Sequence, residues 1–184
     1  MENFGEIISA TISEYRSDLE KSRLALNSAR VEAEGYGKWT RAEETIHFAR
    51  KIGAKKIGIA SCIGLLKESQ ILSRILEENG FEPISVCCKA GGLDKTEIGL
   101  KQEEKILEGF FESMCNPVAQ ARILNEAGTD MNIMMGLCVG HDMLFLKEAK
   151  APTTVLVVKD RVTGHNPVAA LYGSHFYYRK LFSV

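Results

Sequence analysis

The chain has 184 residues, enough for one domain with a sizeable core, and its apolar (45%) and charged (26%) fractions are ordinary for a globular protein. A net charge of −1 gives no electrostatic case for nucleic acid or an anionic membrane, and no apolar run approaches the roughly 20 residues of a membrane span. The charged amino terminus, MENFGEIISATISEYRSDLEK, has no signal-peptide core, so a cytoplasmic location is expected.

Residues 3–34 carry a helical repeat. Ile8, Ile12, Tyr15, Leu19, Leu26, Ala29 and Ala33 recur at spacings of four and three, while Glu14, Arg16, Asp18, Lys21 and Arg23 lie off that stripe. The pattern predicts one long amphipathic helix. Its stripe is expected to pack on the chain's own domain or to meet a second copy as a homodimer contact. The break EGYGK follows. Thr40 and Glu43 then form a T-x-x-E capping box opening a helix to about Lys51, which Gly53 ends.

The segment KIGIAS, 56–61, reads as the first strand, with Cys62 at its end. Leu65, Leu66, Leu72, Ile75 and Leu76 line one face of the next helix, stopped by Gly80. A short strand over 83–87 follows, and Pro83 at its start places it at a sheet edge. Next come Cys87, Cys88 and the glycine-rich KAGGLDK. Gly91 and Gly92 with Lys89 and Lys95 offer a loop for an anion. The Walker and G-x-G-x-x-G spacings are both missing, so a turn with solvated lysines is the simpler reading.

Ile106, Leu107, Phe110 and Phe111 mark another helix. Cys115-Asn116-Pro117 opens the following one, with Asn116 as N-cap and Pro117 in the first helical position, and Gly128 closes it. The apolar run 131–137 reads as a strand buried on both faces. A helix over about 140–148 and a last strand over 153–158 complete the series, and terminal helical or irregular segments follow the loop KDRVTGHNP. Strands alternating with helices imply parallel pairing and right-handed crossovers. The expected fold is therefore α/β, three-layered, with a mainly parallel sheet of at least four strands in order 2-1-3-4. Residues 1–34 form its amino-terminal helix and 35–184 a single α/β domain.

Five cysteines carry the chemistry. Cys62, Cys87, Cys88 and Cys138 follow strands, and Cys115 precedes a helix, where the dipole favours a thiolate. In this strand order Cys62 lies between Cys87 or Cys88 on one side and Cys138 on the other, within reach of one shared metal. Cys87 and Cys88 point to opposite faces, so one of them faces the site. Cys62, Cys88, Cys115 and Cys138 form a candidate four-thiolate set, with His141 or His165 as substitutes. Scattered ligands favour an iron–sulfur cluster over zinc, whose structural sites draw on close pairs. Such a centre suits redox or sensing work with a redox partner protein. Against this stands the plain packing role of free cysteine, a small hydrophobe.

A different chemistry is also open. G-x-C-x-G at 136–140 has the form of a nucleophile elbow, with Asp160 and His165 following in hydrolase order. In that reading Cys138 is the nucleophile of a hydrolase or transferase. The sequence does not settle whether the protein is an enzyme.

The segments EGYGKWTRAEE, IGIASCIGL, CCKAGG, CNPVAQARILN, GLCVGHD and VKDRVTGHNPVAALY resemble a family of uncharacterised prokaryotic cysteine-rich proteins, described as predicted metal-binding proteins. The similarity runs from about Glu34 to Tyr172. It implies a metal held by residues matching Cys62, Cys87, Cys88, Cys115 and Cys138. Members of that family also carry a cysteine-rich amino-terminal segment. This chain has no cysteine before Cys62, so a second metal site there is not expected.

Overall fold

A computed structural model describes residues 4–183. The chain divides into two compact units, parting at Lys55 and Lys56.

The first unit holds α1 (Gly5–Ser17), α2 (Leu19–Gly35) and α3 (Arg41–Lys51). The single helix expected over 3–34 is thus two helices, and its expected start at Asn3 lies outside the described residues. Asp18 makes the break. Its backbone is extended (φ −92°, ψ 108°), and its carboxylate accepts the amides of Glu20 and Lys21 at 3.0 and 3.1 Å. A short acidic side chain competes for backbone donors and so caps α2 rather than continuing α1. Ile8, Ile12, Tyr15 and Leu19 are exposed. The capping box of α3 is complete: Thr40 N donates to Glu43 Oε2 at 2.7 Å, and Glu43 N to Thr40 Oγ1 at 3.4 Å. Gly35 lies against the Trp39 ring, which stacks on His47 with centroids 3.8 Å apart.

The second unit is the α/β domain. Its strands are β1 (Lys56–Ser61), β2 (Glu82–Cys87), β3 (Met131–Met135) and β4 (Thr153–Val157), all parallel, in the order 2-1-3-4. The helices are α4 (Leu66–Glu78), α5 (Pro117–Glu126), α6 (His141–Glu148) and the short α7 (Val168–Tyr172). α4 covers one face of β1 and β2, and α5 with α6 the other, as right-handed crossovers require. Gly58 marks the α5 face: a side chain there would run into Asn132 and stand 2.9 Å from Leu124. Ile57, Ile59, Leu76, Leu124, Met131, Ile133 and Phe145 are fully buried and form the core. β2 is an edge strand with Pro83 second in it, where the missing N–H costs no ladder bond.

The helix expected around Ile106, Leu107, Phe110 and Phe111 is not formed. Residues 99–114 hold one short 3-10 turn, Gln102–Glu104, and otherwise irregular backbone. The four apolar side chains point outward, Ile106 at 85% exposure and Phe110 at 73%. The segment folds instead around a polar core. The Lys105 side chain is 1% exposed, pairs with Asp94 at 2.6 Å and donates to Phe110 O at 3.1 Å. Glu112 Oε2 accepts the amides of Ile106 and Leu107 and so spends the donors a helix would use. Apolar spacing at 106, 107, 110 and 111 mimics a helix, but buried charge decides the fold here.

Candidate thiol centre

The β1–β3 boundary is where the strand order reverses, and open α/β sheets bind ligands outside the carboxyl ends at such a point. Cys62 leaves β1 there, and its amide donates to Met135 O of β3 at 3.0 Å. On its other side Cys88 leaves β2, its amide bonded to Ser61 O at 2.8 Å. Cys62 and Cys88 thus continue the register that pairs Ser61 with Cys87. Both are buried, at 5% and 2% exposure. They sit on the α5 face with Ala60, Ala121 and Leu124.

Register sets Cys62 beside Cys88, and Cys115 packs against the same buried cluster. The Ile63 amide donates to Cys88 Sγ at 3.3 Å, and the Gly64 amide is directed at Cys62 Sγ. A methyl group on Gly64 would stand 3.2 Å from Lys159 Nζ and 3.9 Å from Cys62 Sγ, so the ammonium and the sulfur flank this glycine. The neighbouring Cys88, the Gly64 amide and Lys159 hold the Cys62 thiol well below the usual range, while the neighbouring Cys62 and burial push Cys88 up.

Cys115 is fixed by the next residue. Asn116 N donates to Cys88 O at 2.7 Å, and Asn116 Oδ1 caps α5 by accepting from Ala119 N at 3.0 Å. Gln120, one turn on, is fully buried. Its Nε2 donates to Ser61 O at 3.1 Å and to Val86 O at 2.7 Å, which ties the ends of β1 and β2 just before their cysteines.

Cys138 follows β3 through Gly136 (φ +68°) and precedes Gly140 (φ +85°). Its carbonyl accepts from His141 N and Asp142 N, and Arg161 Nη2 lies 3.1 Å from its sulfur. His141 Nδ1 is buried with no hydrogen-bond partner. Burial, then the Lys89 ammonium, lowers the His141 pKa.

Cys87 takes the opposite face and lines a groove of about 550 Å³ with Leu66, Ser69 and Ser73. Asp160 and His165 engage each other's loop: Asp160 Oδ1 accepts from Val162 N and Thr163 N, and His165 Nδ1 accepts from Asp160 N at 3.2 Å. In KAGGLDK, Lys89 bonds Ser113 O and Lys95 pairs with Glu112, so neither lysine is held out for an anion. Among the described residues, no three His, Cys, Asp or Glu side chains already form a metal-ready group.

Sequence reasoning missed Lys159, Arg161 and Gln120. The first two carried a signal, since VKDR sits just past the carboxyl end of β4, level with the thiols. Gln120 carried a subtler one, a polar residue on the α5 face that otherwise buries Ala121 and Leu124.

The fold defines a parallel α/β protein with cysteines following the carboxyl ends of β1, β2 and β3. The chain belongs to the family described as protein of unknown function (DUF1847), whose pattern matches residues 1–156. It is 51% identical over 176 residues to an uncharacterised protein of Methanocaldococcus jannaschii, covering 96% of this chain and 88% of that one. No described helix is long and apolar enough to cross a membrane.

Proposed function

We propose that the protein binds a thiolate-held metal centre, an iron–sulfur cluster in preference to zinc, and serves a redox or sensing role. The observation that carries this reading is the register that sets Cys62 beside Cys88, with Cys115 tied to Cys88 through the Asn116 amide and the Ile63 amide bonded to the Cys88 sulfur. Amide hydrogen bonds to ligand sulfur are a principal way a protein tunes such a cluster. The donor set fits a soft metal. Cys62 and Cys88 adjoin in register, Cys115 packs against the same cluster, Cys138 stands beside Arg161, and His141 Nδ1 is buried without a partner. Lys159 and Arg161 supply positive charge to balance several thiolates. The side chains are not closed into a cage, so ligand capture includes a rearrangement of Cys138 or His141 toward the other thiols.

Cys62, Cys88 and Cys115 would hold the group, with Cys138 or His141 as fourth ligand. A cluster bound there would supply one-electron chemistry, and zinc would supply structure. The chain's own contribution is burial, the two amides, and the two cations that fix the charge around the sulfurs. Anaerobic purification followed by iron, zinc and acid-labile sulfide analysis tests the proposal. Iron with sulfide and visible absorption is the expected result, and zinc alone keeps the metal reading in its structural form. Protein free of both metals overturns it.

A second reading keeps Cys138 as a nucleophile, favoured by its position in a glycine turn beside Arg161. It would have to work without Asp160 and His165 as placed, because both are spent on their own loop. Stoichiometric alkylation of Cys138 alone in metal-free protein would favour it.

A further inference from the structure

Cys62 and Cys88 stand one step beyond the paired residues Ser61 and Cys87, on neighbouring parallel strands. Neighbouring strands run about 4.8 Å apart, inside the range of about 4.4–6.8 Å between Cα atoms that a disulfide spans. Register puts Cys62, after Gly58 and Ala60, on the same face as Cys88, after Ile84 and Val86. Both side chains lie in one buried cluster. Three fixed points hold both backbones: Cys62 N on Met135 O, Cys88 N on Ser61 O, and Gln120 across Ser61 O and Val86 O.

We infer that Cys62 and Cys88 form a reversible dithiol–disulfide pair, oxidised by a hydroperoxide. The chemistry requires no metal, so it stands or falls apart from the metal reading. Cys62 sulfur attacks the peroxide. An S–O bond forms, the O–O bond breaks, and the departing hydroxide takes the thiol proton as water. Cys88 sulfur then attacks Cys62 sulfur. The S–S bond forms, the S–O bond breaks, and a second water leaves with the proton of Cys88. Two electrons pass from the two thiols to the peroxide, and a dithiol reductant reverses the change. A water-sized oxidant suits a pair this buried, and Lys159 beside Cys62 stabilises the negative charge the first step needs. Cys115 precedes Asn116, whose amide bonds Cys88 O, so it is the competitor for the second sulfur. Cys87, on the opposite face, cannot compete. Where a metal is bound, the disulfide removes two of its ligands, so oxidation becomes a release signal.

The test treats the full-length reduced protein with hydrogen peroxide, measures intact mass and maps linked peptides. Metal content is read before and after. The expected product has lost two hydrogens and carries a Cys62–Cys88 link that dithiothreitol reverses. The link persists in Cys87→Ser and Cys115→Ser and is lost in Cys62→Ser and Cys88→Ser. A link through Cys87 or Cys115, or oxidation that adds oxygen without any link, overturns the inference. Mapping on the unaltered chain decides this even if a variant fails to fold. Metal-free protein that still forms the link refutes the metal reading alone, and metal-bound protein that never forms it refutes the disulfide alone.

Discussion

Gln120 donates its side-chain amide to the carbonyl of Val86 at 2.7 Å, and through the same nitrogen to Ser61 O at 3.1 Å. One buried residue of α5 therefore clamps the two strand ends that deliver Cys62 and Cys88. The two carbonyls fix which end of the amide faces the strands, because only the nitrogen can donate. Gln120→Met, nearly equal in volume, keeps the packing and loses both bonds. It should cost about 1–3 kcal/mol in urea unfolding, the usual penalty for stripping buried polar partners. It should also lower the yield of the Cys62–Cys88 link severalfold. Unchanged stability together with an unchanged yield would contradict the clamp.

Gly136 stands at the exit of β3 with φ +68°, and a side chain there would run into Leu65. Gly136→Ala combines left-handed strain with overpacking, about 1–2 and 1–3 kcal/mol respectively. A loss of roughly 2–5 kcal/mol is expected on the same scales. Gly128 has nearly the same φ, +66°, but open space around it. Gly128→Ala should therefore lose only the strain, about 1–2 kcal/mol. Equal losses from the two variants in denaturant unfolding would show that the Leu65 contact plays no part.

The loop around Lys105 carries a pH signature. The Lys105 ammonium, then the amides of Thr96 and Glu112, hold the Asp94 carboxyl well below its usual value. A depressed folded pKa means that Asp94 stabilises the loop above the unfolded value of about 4, and that this contribution fades as pH falls through the depressed one. The NMR amide shifts of Thr96 and Glu112 should therefore stay level down to about pH 4 and move only below it. Lys105→Ala should bring the transition back toward the ordinary carboxylate range. A wild-type transition already centred in that range would contradict the pairing.

Much of this architecture was legible because local and long-range signals agreed. Thr40 with Glu43, Asn116 with Pro117, and the glycines at 53, 80 and 128 all mark helix ends that the structure keeps. The apolar runs at 57–60 and 131–135 are buried on both faces, and Pro83 sits on the edge strand as its missing donor demands. The failures share one cause, a polar group acting against an apolar period. Asp18 lies inside a helical repeat yet ends α1 by taking amides for itself. Lys105 lies among Ile106, Leu107, Phe110 and Phe111, and the loop buries the lysine and exposes the apolar residues. At the candidate site, strand order brought Cys62 and Cys88 together on paper as in space. Lys159 and Arg161 were legible as residues just past β4, level with the thiols, but their orientation toward Cys62 and Cys138 depends on how the chain turns there.

The most direct measurement compares metal content in anaerobically purified wild type, Cys87→Ser and Cys88→Ser. The two cysteines are adjacent in sequence but face opposite sides of β2. The account predicts bound metal in the wild type, the same content in Cys87→Ser, and loss of the metal in Cys88→Ser. A wild type without metal, or a Cys88→Ser protein that keeps its full complement, would contradict it.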